Sequence, residues 1–255
     1  MNNVKLFIAT PMYGNLCCGD YALSIFNLLV SAIEKNIPIK LHTVYNDALI
    51  TRARNELVSN FLETDFTHLI FIDGDISFNA NDVFTMIETD LDIIGGAYSQ
   101  KAIDWDLVKK AVLAGIPSED LKYFTGYLNF NHLETKYSFD IDKPLRVKHV
   151  PTGFMLIKRS VFEKLDPITP SYKSYDYKGN FEKETKKYFD TDISDDEKIY
   201  NSEDWYFCDK WHSIGGEVYI APWVELVHYG TYPFHGIPVP ENIFHYNENN
   251  IDKNL

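Results

Sequence analysis

The chain has 255 residues, with 24 lysines and arginines against 37 aspartates and glutamates, so its formal net charge is −13. Apolar residues make up 45% and charged residues 24%, a composition typical of folded globular proteins and not of disordered chains. The acidic balance is unfavourable for duplex nucleic acid, whose phosphates need a positive surface, so we expect no nucleic-acid partner.

The cysteines and the apolar runs indicate where the protein resides. Cys17, Cys18 and Cys208 form neither a disulfide framework nor a Cys-x-x-Cys zinc motif, and they predict a reducing compartment. The longest apolar-rich stretch, residues 21–33, is shorter than the ~20 residues of a membrane span. We therefore expect a soluble chain with no transmembrane segment.

The first half alternates short apolar runs with amphipathic segments. Strands are predicted at 4–9, 37–45, 67–72 and 91–98, the first of them ended by Thr10-Pro11. Asp20 is predicted to cap a helix that buries Ala22, Ile25, Phe26, Leu29 and Ile33. Asn46-Asp47 is predicted to open a second helix, with Ala53, Leu57 and Phe61 inward, and a short helix follows at 80–89. This alternation predicts an α/β fold with a mostly parallel central sheet flanked by helices.

The second half is less regular. Strands or hairpins are predicted at 124–130, 132–139 and 145–158, and the polar, tyrosine-rich stretch 170–196 is interpreted as a long surface loop. Ser202 is predicted to cap a helix that ends near 214, followed by a strand at 217–221. We expect one domain over 1–230 and an irregular tail over 231–255, packed on or near the site.

The segment Asp73-Gly74-Asp75 directly follows an apolar strand. Ligands bind at the carboxyl ends of strands in open parallel sheets, and two carboxylates there can share a divalent cation. The alternative is an ordinary Asp-Gly turn. A turn accounts for Gly74 and one aspartate but not for the second acid beside a buried strand, so the pattern favours a metal site.

Two later features carry groups of similar chemistry. Glu203 and Asp204 lie in the first turn of a predicted helix, where the helix dipole alone also favours acidic residues. His228 follows an apolar run and is a possible third metal ligand, because imidazole suits transition metals. The alternative for His228 is a partly buried side chain with its hydrogen bonds satisfied.

Seven short motifs occur in order along residues 4–230, and together they resemble those of the GT-A fold glycosyltransferases. They are Ile8-Ala-Thr-Pro-Met-Tyr13, Thr51-Arg-Ala-Arg-Asn55, Phe71-Ile-Asp-Gly-Asp75, Ile94-Gly-Gly-Ala97, Pro151-Thr-Gly-Phe154, Ser202-Glu-Asp-Trp205 and Val227-His228. The resemblance implies a GT-A, Rossmann-like sheet with a less regular antiparallel second half. It also implies transfer of a sugar from a UDP- or GDP-sugar to a glycan or other hydroxyl acceptor.

The resemblance assigns roles to individual residues. Asp73 and Asp75 would hold Mn²⁺ or Mg²⁺ against the diphosphate, and His228 would complete the metal shell. Gly74, between the two aspartates, would lie against the nucleotide-sugar. Asp204 or Glu203 would be the catalytic base. The nucleotide would be gripped by Thr10, Pro11, Tyr13, Asp47 and Arg52. The stereochemical outcome stays open, and a cytoplasmic enzyme that builds a bacterial or viral glycan is the implied setting.

Several of these roles have structural alternatives. Asp47 could instead cap a helix, and Arg52 could form an ion pair with Glu56. Arg52 is preferred over Arg54 for the site, since Arg54 points to a different face of a regular helix. The glycines at 95, 96 and 153 would let a sugar approach the backbone closely, or would form bulges. Lys101 could contact phosphate, although a single surface lysine is usually only solvated.

Two other functions remain open. An apolar strand followed by Asp-x-Asp also suits a haloacid-dehalogenase-like phosphatase, but that family places the motif on its first strand. A glycan- or nucleotide-binding module without turnover would use a stacking surface of aromatic residues. The candidates for that surface are Tyr172, Tyr175, Tyr177, Phe181 and Tyr188.

Overall fold

The computed structural model describes residues 3–131, 133, 140–175, 178–194 and 198–232. The first half contains β1 Leu6–Met12, α1 Gly19–Glu34, β2 Ile39–Tyr45, α2 Ile50–Leu62, β3 His68–Ile72, β4 Ile76–Ser77, α3 Ala80–Glu88, β5 Ile93–Gly95 and α4 Trp105–Leu113. The second half contains β6 Leu145–Val147, β7 Phe154–Lys158, α5 Arg159–Leu165, β8 Ser171–Tyr175, β9 Phe181–Lys186, β10 Asp192–Ile193, β11 Tyr200–Asn201, α6 Glu203–His212, β12 Val218–Ile220 and β13 Val227–His228.

A seven-stranded sheet in the order β2-β1-β3-β7-β5-β12-β6 forms the centre of the fold. Strands β2, β1, β3, β5 and β12 run in one direction, whereas β7 and β6 run antiparallel to their neighbours. The predicted fold class is confirmed: a mostly parallel central sheet is flanked by helices, and the antiparallel strands come from the second half.

Helices cover both faces of the sheet. Successive side chains of a strand point to opposite faces, so Leu69 and Phe71 of β3 enter one hydrophobic core while Ile70 and Ile72 enter the other. The first core packs against α2, α5 and α6, and the second packs against α1 and α3. A strand covered on both sides is apolar throughout, which is why β3 could be predicted from its composition.

The predicted end of the first strand at Thr10-Pro11 is wrong, because β1 continues to Met12. Pro11 pairs with Val44 in the parallel register of β1 and β2. Pairing of β1 with β3 stops at the Ala9–Phe71 pair, so Pro11 lies where β1 has a neighbour on one side only. A proline is tolerated there since its missing N–H leaves no ladder bond unmade.

Helix α1 begins one residue before the predicted cap. The N-cap residue is Cys18, whose Sγ accepts a hydrogen bond from the Tyr21 amide, and Asp20 lies in the first turn. The buried face differs from the predicted one: of the five predicted residues Ile25 is buried, whereas Phe26 and Ile33 are exposed. The buried residues are Tyr21, Ser24, Ile25, Leu28 and Ala32.

Other differences lie around α2 and in the second half. Helix α2 begins at Ile50, not at Asp47. The predicted loop 170–196 instead contains the β8–β9 hairpin and β10, because Tyr188 and Phe189 between them are anchored in the core. The predicted strand 124–130 is not formed. A 3₁₀ helix, Ser118–Phe124, and an isolated bridge from Leu128 to Ser99 occupy this region.

Two predicted segments fall largely outside the described residues. Of the predicted strand 132–139 only residue 133 is described, and of the predicted tail 231–255 only residues 231 and 232 are. The predicted strand 145–158 divides into β6 and β7. Helices α4 and α5 were not predicted.

Candidate active site

Asp73, Asp75, Glu203 and His228 lie at one edge of the sheet, around the carboxyl end of β3. Asp73 follows β3 directly, and its amide donates to the carbonyl oxygen of Gly153, at 2.9 Å, just before β7. Strand β13 pairs with β4, which sets His228 opposite Ile76. The Tyr229 amide donates to the carbonyl oxygen of Asp75 at 2.8 Å. Asp75 and His228, 153 positions apart in sequence, thereby share one site.

Arg54 is the centre of the charged cluster, although it was predicted to point away from the site. Its Nη2 donates to both carboxylate oxygens of Asp73, at 3.2 and 3.3 Å, and its Nε donates to Glu203 Oε1 at 3.2 Å. The guanidinium also lies over the Phe71 ring, 5.1 Å from the ring centroid. Burial lowers the pKa of Arg54, but Asp73 and Glu203 outweigh burial and raise it above the usual value. Arg54 is therefore a permanent cation between two carboxylates.

His228 presents one ring nitrogen to Asp75. Its Nδ1 lies 2.9 Å from the carbonyl oxygen of Ser99, and since a carbonyl only accepts, Nδ1 carries the proton. The other ring nitrogen, Nε2, faces Asp75 Oδ1 at 3.6 Å, which is longer than a hydrogen bond.

The predicted three-ligand metal set is not brought together. Among the described residues, no group of three or more histidine, cysteine and carboxylate side chains is arranged to hold a metal ion. Asp73 is paired with Arg54, and Asp75 forms an ion pair with Lys101. By donor type, the oxygen of Asp75 and the Nε2 of His228 fit Mn²⁺.

The two acids at the start of α6 differ in their surroundings. Glu203 accepts from Arg54 and, at 3.4 Å, from the hydroxyl of Thr152. Asp204 Oδ1 accepts from the Ser202 hydroxyl and from the Trp205 amide. Ser202 thus occupies the predicted N-cap position, but its hydroxyl bonds Asp204. Burial raises the pKa of Asp204 above its usual value, which favours this carboxylate as a proton acceptor.

A cavity of about 330 Å³ lies beside the Asp-x-Asp segment. Its lining includes Pro11, Tyr13, Ile50, Asp73, Gly74 and Asp75. Pro11 and Tyr13 therefore lie next to the acidic motif, and their contact with a nucleotide stays a prediction. Thr10 does not line this cavity: it is fully buried, and its hydroxyl lies 2.7 Å from the Tyr21 hydroxyl in a core hydrogen bond.

Asp47 and Arg52 form a bidentate ion pair, with both N–O distances at 2.7 Å. The predicted alternative partner of Arg52, Glu56, is not the one used. Burial raises the pKa of Asp47, but the bonds from Arg52 and the Leu49 amide outweigh it and lower the pKa. Both residues line a separate cavity of about 700 Å³ between the end of β2 and the β8–β9 hairpin.

Gly95 ends β5 and Gly96 follows it, and both glycines serve the packing of the sheet. A Cβ on Gly95 would lie 2.5 Å from the Val150 side chain, and one on Gly96 would lie 2.7 Å from Leu226. The space that these two glycines leave is filled by the protein itself, which corrects the prediction that a sugar approaches there. Gly74, by contrast, lines the cavity beside Asp73.

Tyr98 contacts both His228 and the backbone of Gly153, just before β7. The sequence did not predict this residue as part of the site. A Cβ on Gly153 would lie 2.4 Å from its hydroxyl, which hydrogen-bonds the backbone of Gly153. Gly153 therefore makes room for Tyr98, not for a sugar. The Tyr98 ring meets the His228 ring edge-on at 4.8 Å. Burial, followed by the charge of Asp73, raises the Tyr98 pKa, so its hydroxyl stays protonated.

The aromatic residues proposed for a stacking surface are dispersed. Tyr188 is buried, and its hydroxyl bonds the carbonyl oxygen of Phe162. Tyr175 and Phe181 are exposed on the β8–β9 hairpin, with their rings edge-on at 6.2 Å. Tyr177 lies outside the described residues. A single continuous aromatic surface is therefore not formed by the described part of this segment.

Comparisons with known proteins give distant structural likenesses. No protein-family model and no curated protein sequence matches the chain. The solved structure of A197 from STIV is similar at 14% identity and a TM-score of 0.48, over 89% of this chain and 87% of that one. The structure of GalNAc-T7 with UDP, GalNAc and Mn²⁺ is similar at 13% identity and a TM-score of 0.44. The likeness covers 89% of this chain and 44% of that one. The structure of S. aureus TarS 1–349 in complex with UDP-GlcNAc is similar at 11% identity and a TM-score of 0.35. The likeness covers 85% of this chain and 56% of that one. These likenesses assign neither an activity nor a ligand to this chain.

None of the helices in the described part of the chain combines the length and the apolar character that crossing a membrane requires.

Proposed function

We propose that the chain is a metal-dependent glycosyltransferase of the GT-A class, which moves a sugar from a UDP- or GDP-sugar to a hydroxyl acceptor. The observation that carries the proposal is the cluster around Arg54. One guanidinium contacts both Asp73 of the Asp-x-Asp segment and Glu203 of the late acidic pair. The third motif, His228, lies against Asp75 of the same segment. Motifs that are far apart in sequence thus meet at the carboxyl end of a buried strand, where ligands bind in α/β folds.

The donor is proposed to bind in the cavity lined by Pro11, Tyr13 and Asp73. Tyr13 is 75% exposed and so can stack on a nucleotide base. Asp47 and Arg52 lie next along the same edge and are proposed to contact the nucleotide after their mutual ion pair opens.

Asp75 and His228 are proposed to hold Mn²⁺ or Mg²⁺, with Asp73 as the third ligand. When bound, the cation would neutralise the charge that develops on the diphosphate leaving group. Lys101 must leave Asp75 before a cation binds there, and the freed ammonium is then available to a phosphate oxygen. The two contacts from Arg54 Nη2 hold the Asp73 carboxylate at the same edge.

Asp204 is proposed as the general base. Oδ1 is held by Ser202 and the Trp205 amide, and among the described residues no hydrogen bond engages Oδ2. Oδ2 can therefore take the proton of the acceptor hydroxyl while Oδ1 stays fixed. Glu203 is proposed to position Arg54 and not to move a proton, since its Oε1 is already shared between Arg54 and Thr152.

A reducing, cytoplasmic location is proposed as well. All three cysteines are free, and Cys17 is exposed. Free cysteines are typical of compartments that keep thiols reduced.

The test is release of nucleoside diphosphate from UDP- and GDP-sugars in the presence of Mn²⁺, with water or added saccharides as acceptor. Asp204→Asn keeps the oxygen that accepts from Ser202 and Trp205 but removes the base. Asp106→Asn, a first-turn carboxylate on α4, is the matched control. We expect the wild type and D106N to release diphosphate and D204N to lose at least 100-fold. Equal rates for D204N and wild type would contradict the assignment of the base. No release from any donor, together with hydrolysis of a generic phosphoester, would favour the phosphatase.

A further inference from the structure

A second cavity, of about 290 Å³, opens beside Asp204. Asp73 lines the cavity proposed for the donor, Asp204 lines this one, and Arg54 with Glu203 lies between them. The side chains that give this second cavity its chemistry are Gln100, Asn129, Asn131, His149, Asp204 and Trp205. A molecule bound in this cavity would lie against the proposed base, Asp204.

Trp205 forms the aromatic wall of this cavity, and the buried His149 packs against its indole ring. The imidazole of His149 is 1% exposed and stacks on the indole of Trp205, with ring centroids 4.7 Å apart and planes inclined by 12°. His149 Nε2 lies 2.9 Å from Asp209 Oδ1, and its Nδ1 lies 3.1 Å from Asn131 Nδ2. Since an amide nitrogen only donates, Nδ1 accepts and Nε2 carries the proton that goes to Asp209. Burial, only partly offset by Asp209, lowers the pKa of His149 and keeps it in this neutral form.

The lining selects a class of ligand by its charge. Three carboxamides offer both donors and acceptors, as the hydroxyls of a sugar require, and the indole offers a flat apolar surface to a pyranose ring. Among the described residues that line this cavity there is no lysine or arginine, and Asp204 is an acid. A phosphate or carboxylate on the acceptor would meet no counter-charge here and would be repelled by Asp204.

We propose that this cavity is the acceptor subsite and that it takes a neutral saccharide, stacked on Trp205 and hydrogen-bonded by Gln100, Asn129 and Asn131, in preference to an acceptor that is anionic at the reacting end. This inference rests on the proposed function for the role of Asp204. The binding site itself is defined by Trp205, His149 and the amides, so it can be tested without turnover.

The experiment is saturation-transfer NMR on the wild-type chain with separate probes: glucose, galactose, N-acetylglucosamine and maltose against glucose 6-phosphate and glycerol phosphate. Trp205→Leu removes the stacking surface, and Trp205→Phe restores part of it. Trp105→Leu, which replaces an exposed tryptophan on α4, is the matched control. Thermal unfolding of each variant verifies that it is folded.

We expect transfer to the ring protons of at least one neutral sugar in the wild type and in W105L, a signal at least fivefold weaker in W205L, and an intermediate signal in W205F. Stronger transfer to the phosphorylated probes, an undiminished signal in W205L, or no signal from any neutral sugar would overturn the inference. Nucleotide binding with Mn²⁺ is measured on the same samples. If the wild type binds a neutral sugar in a Trp205-dependent way but binds no nucleotide, the proposed function alone is refuted. If the wild type binds a nucleotide but shows no Trp205-dependent sugar binding, the acceptor subsite alone is refuted.

Discussion

Replacement of Arg54 by methionine tests whether one buried cation holds the site together. The side chains of Arg54, Asp73 and Glu203 are 3%, 27% and 16% exposed. Removing one partner of a buried ion pair costs about 3–5 kcal/mol, because the remaining charge is left uncompensated. Asp73 and Glu203 both retain some solvent contact, so we expect Arg54→Met to lower the free energy of unfolding by about 2–4 kcal/mol.

The matched control is Arg52→Met, on the same helix. Arg52 is 55% exposed and its ion pair with Asp47 lies at the surface, where such pairs contribute about 0–1 kcal/mol. Urea unfolding gives both free energies, and thermal unfolding should show R54M melting roughly 4–16 °C below the wild type for a chain of this size. A value for R54M within about 1 kcal/mol of R52M would refute the argument.

A second readout separates electrostatics from packing. In R54M the Asp73 carboxylate loses its counter-charge, so Mn²⁺ should raise the melting temperature of R54M more than that of the wild type. Adding Glu203→Gln to R54M should recover part of the lost stability, since it removes one of the two uncompensated charges. If Mn²⁺ shifts both proteins equally and the double variant gains nothing, the methionine acts through packing alone.

The remaining predictions concern the base, the tyrosine and a core hydroxyl. The diphosphate-release rate should fall as pH drops through the raised pKa of Asp204, on an acid limb above the usual aspartate value of 3.8, and a limb at or below that value would contradict it. The folded-state pKa of Asp204 lies above the unfolded one, so the folded state binds more protons between the two values and the free energy of unfolding falls as pH rises through that window. Asp204→Asn should abolish this pH dependence and be more stable than the wild type at neutral pH. Urea unfolding at several pH values checks both expectations. Gly153→Ala should destabilise the fold by about 1–3 kcal/mol, because its Cβ would lie 2.4 Å from the Tyr98 hydroxyl, and pairing it with Tyr98→Phe should recover part of the loss. Thr10→Val should lower the free energy of unfolding by about 1 kcal/mol, because the hydrogen bond to Tyr21 is lost, and it should leave nucleotide binding unchanged. Weaker nucleotide binding would show that Thr10 contacts the nucleotide after all.

The inner strand β3 could be predicted because it is short, apolar and covered on both faces, whereas the edge strand β2 was predicted from its content of β-branched and aromatic residues although most of it is exposed or half-buried. β2, β3 and α3 lie within two residues of their predicted bounds, since periodicity and burial act locally there. The β8–β9 hairpin could not be predicted in the same way. Its strands are polar and mostly exposed, and what anchors the segment is the burial of Tyr188 and Phe189 in a core made by distant residues.

The same limit applies to Arg54. The helical period sets Arg52 and Asn55 on one face, and from that pattern Arg54 was predicted to point elsewhere. In the structure the side chain of Asn55 exchanges two hydrogen bonds, each 2.8 Å long, with the backbone of Phe189. That contact spans 134 residues and buries this side of α2, which leaves Arg54 facing Asp73. The charge partners of a helix depend on what packs over it, and no local pattern carries that information.

The acidic motifs could be predicted as a set, but the cavity beside Asp204 could not. Asp73, Asp75, Asp204 and His228 stand out because acids and imidazoles follow apolar runs at strand or helix ends. His149 and Trp205 are distant in sequence, and their stacking results from the position of α6 beside the segment that follows β6.

The measurement that tests the central claim most directly is thermal unfolding with UDP, GDP and their sugar conjugates, with and without Mn²⁺, for the wild type and Asp75→Asn. A ligand at 100 times its Kd stabilises the folded state by about 2.7 kcal/mol, which corresponds to roughly 5–10 °C for a chain of this size. A shift of this size for one nucleotide, present only with Mn²⁺ and lost in D75N, is the predicted result. No shift with any nucleotide and Mn²⁺, or the same shift in D75N, would contradict a metal-dependent donor site at Asp73, Asp75 and His228.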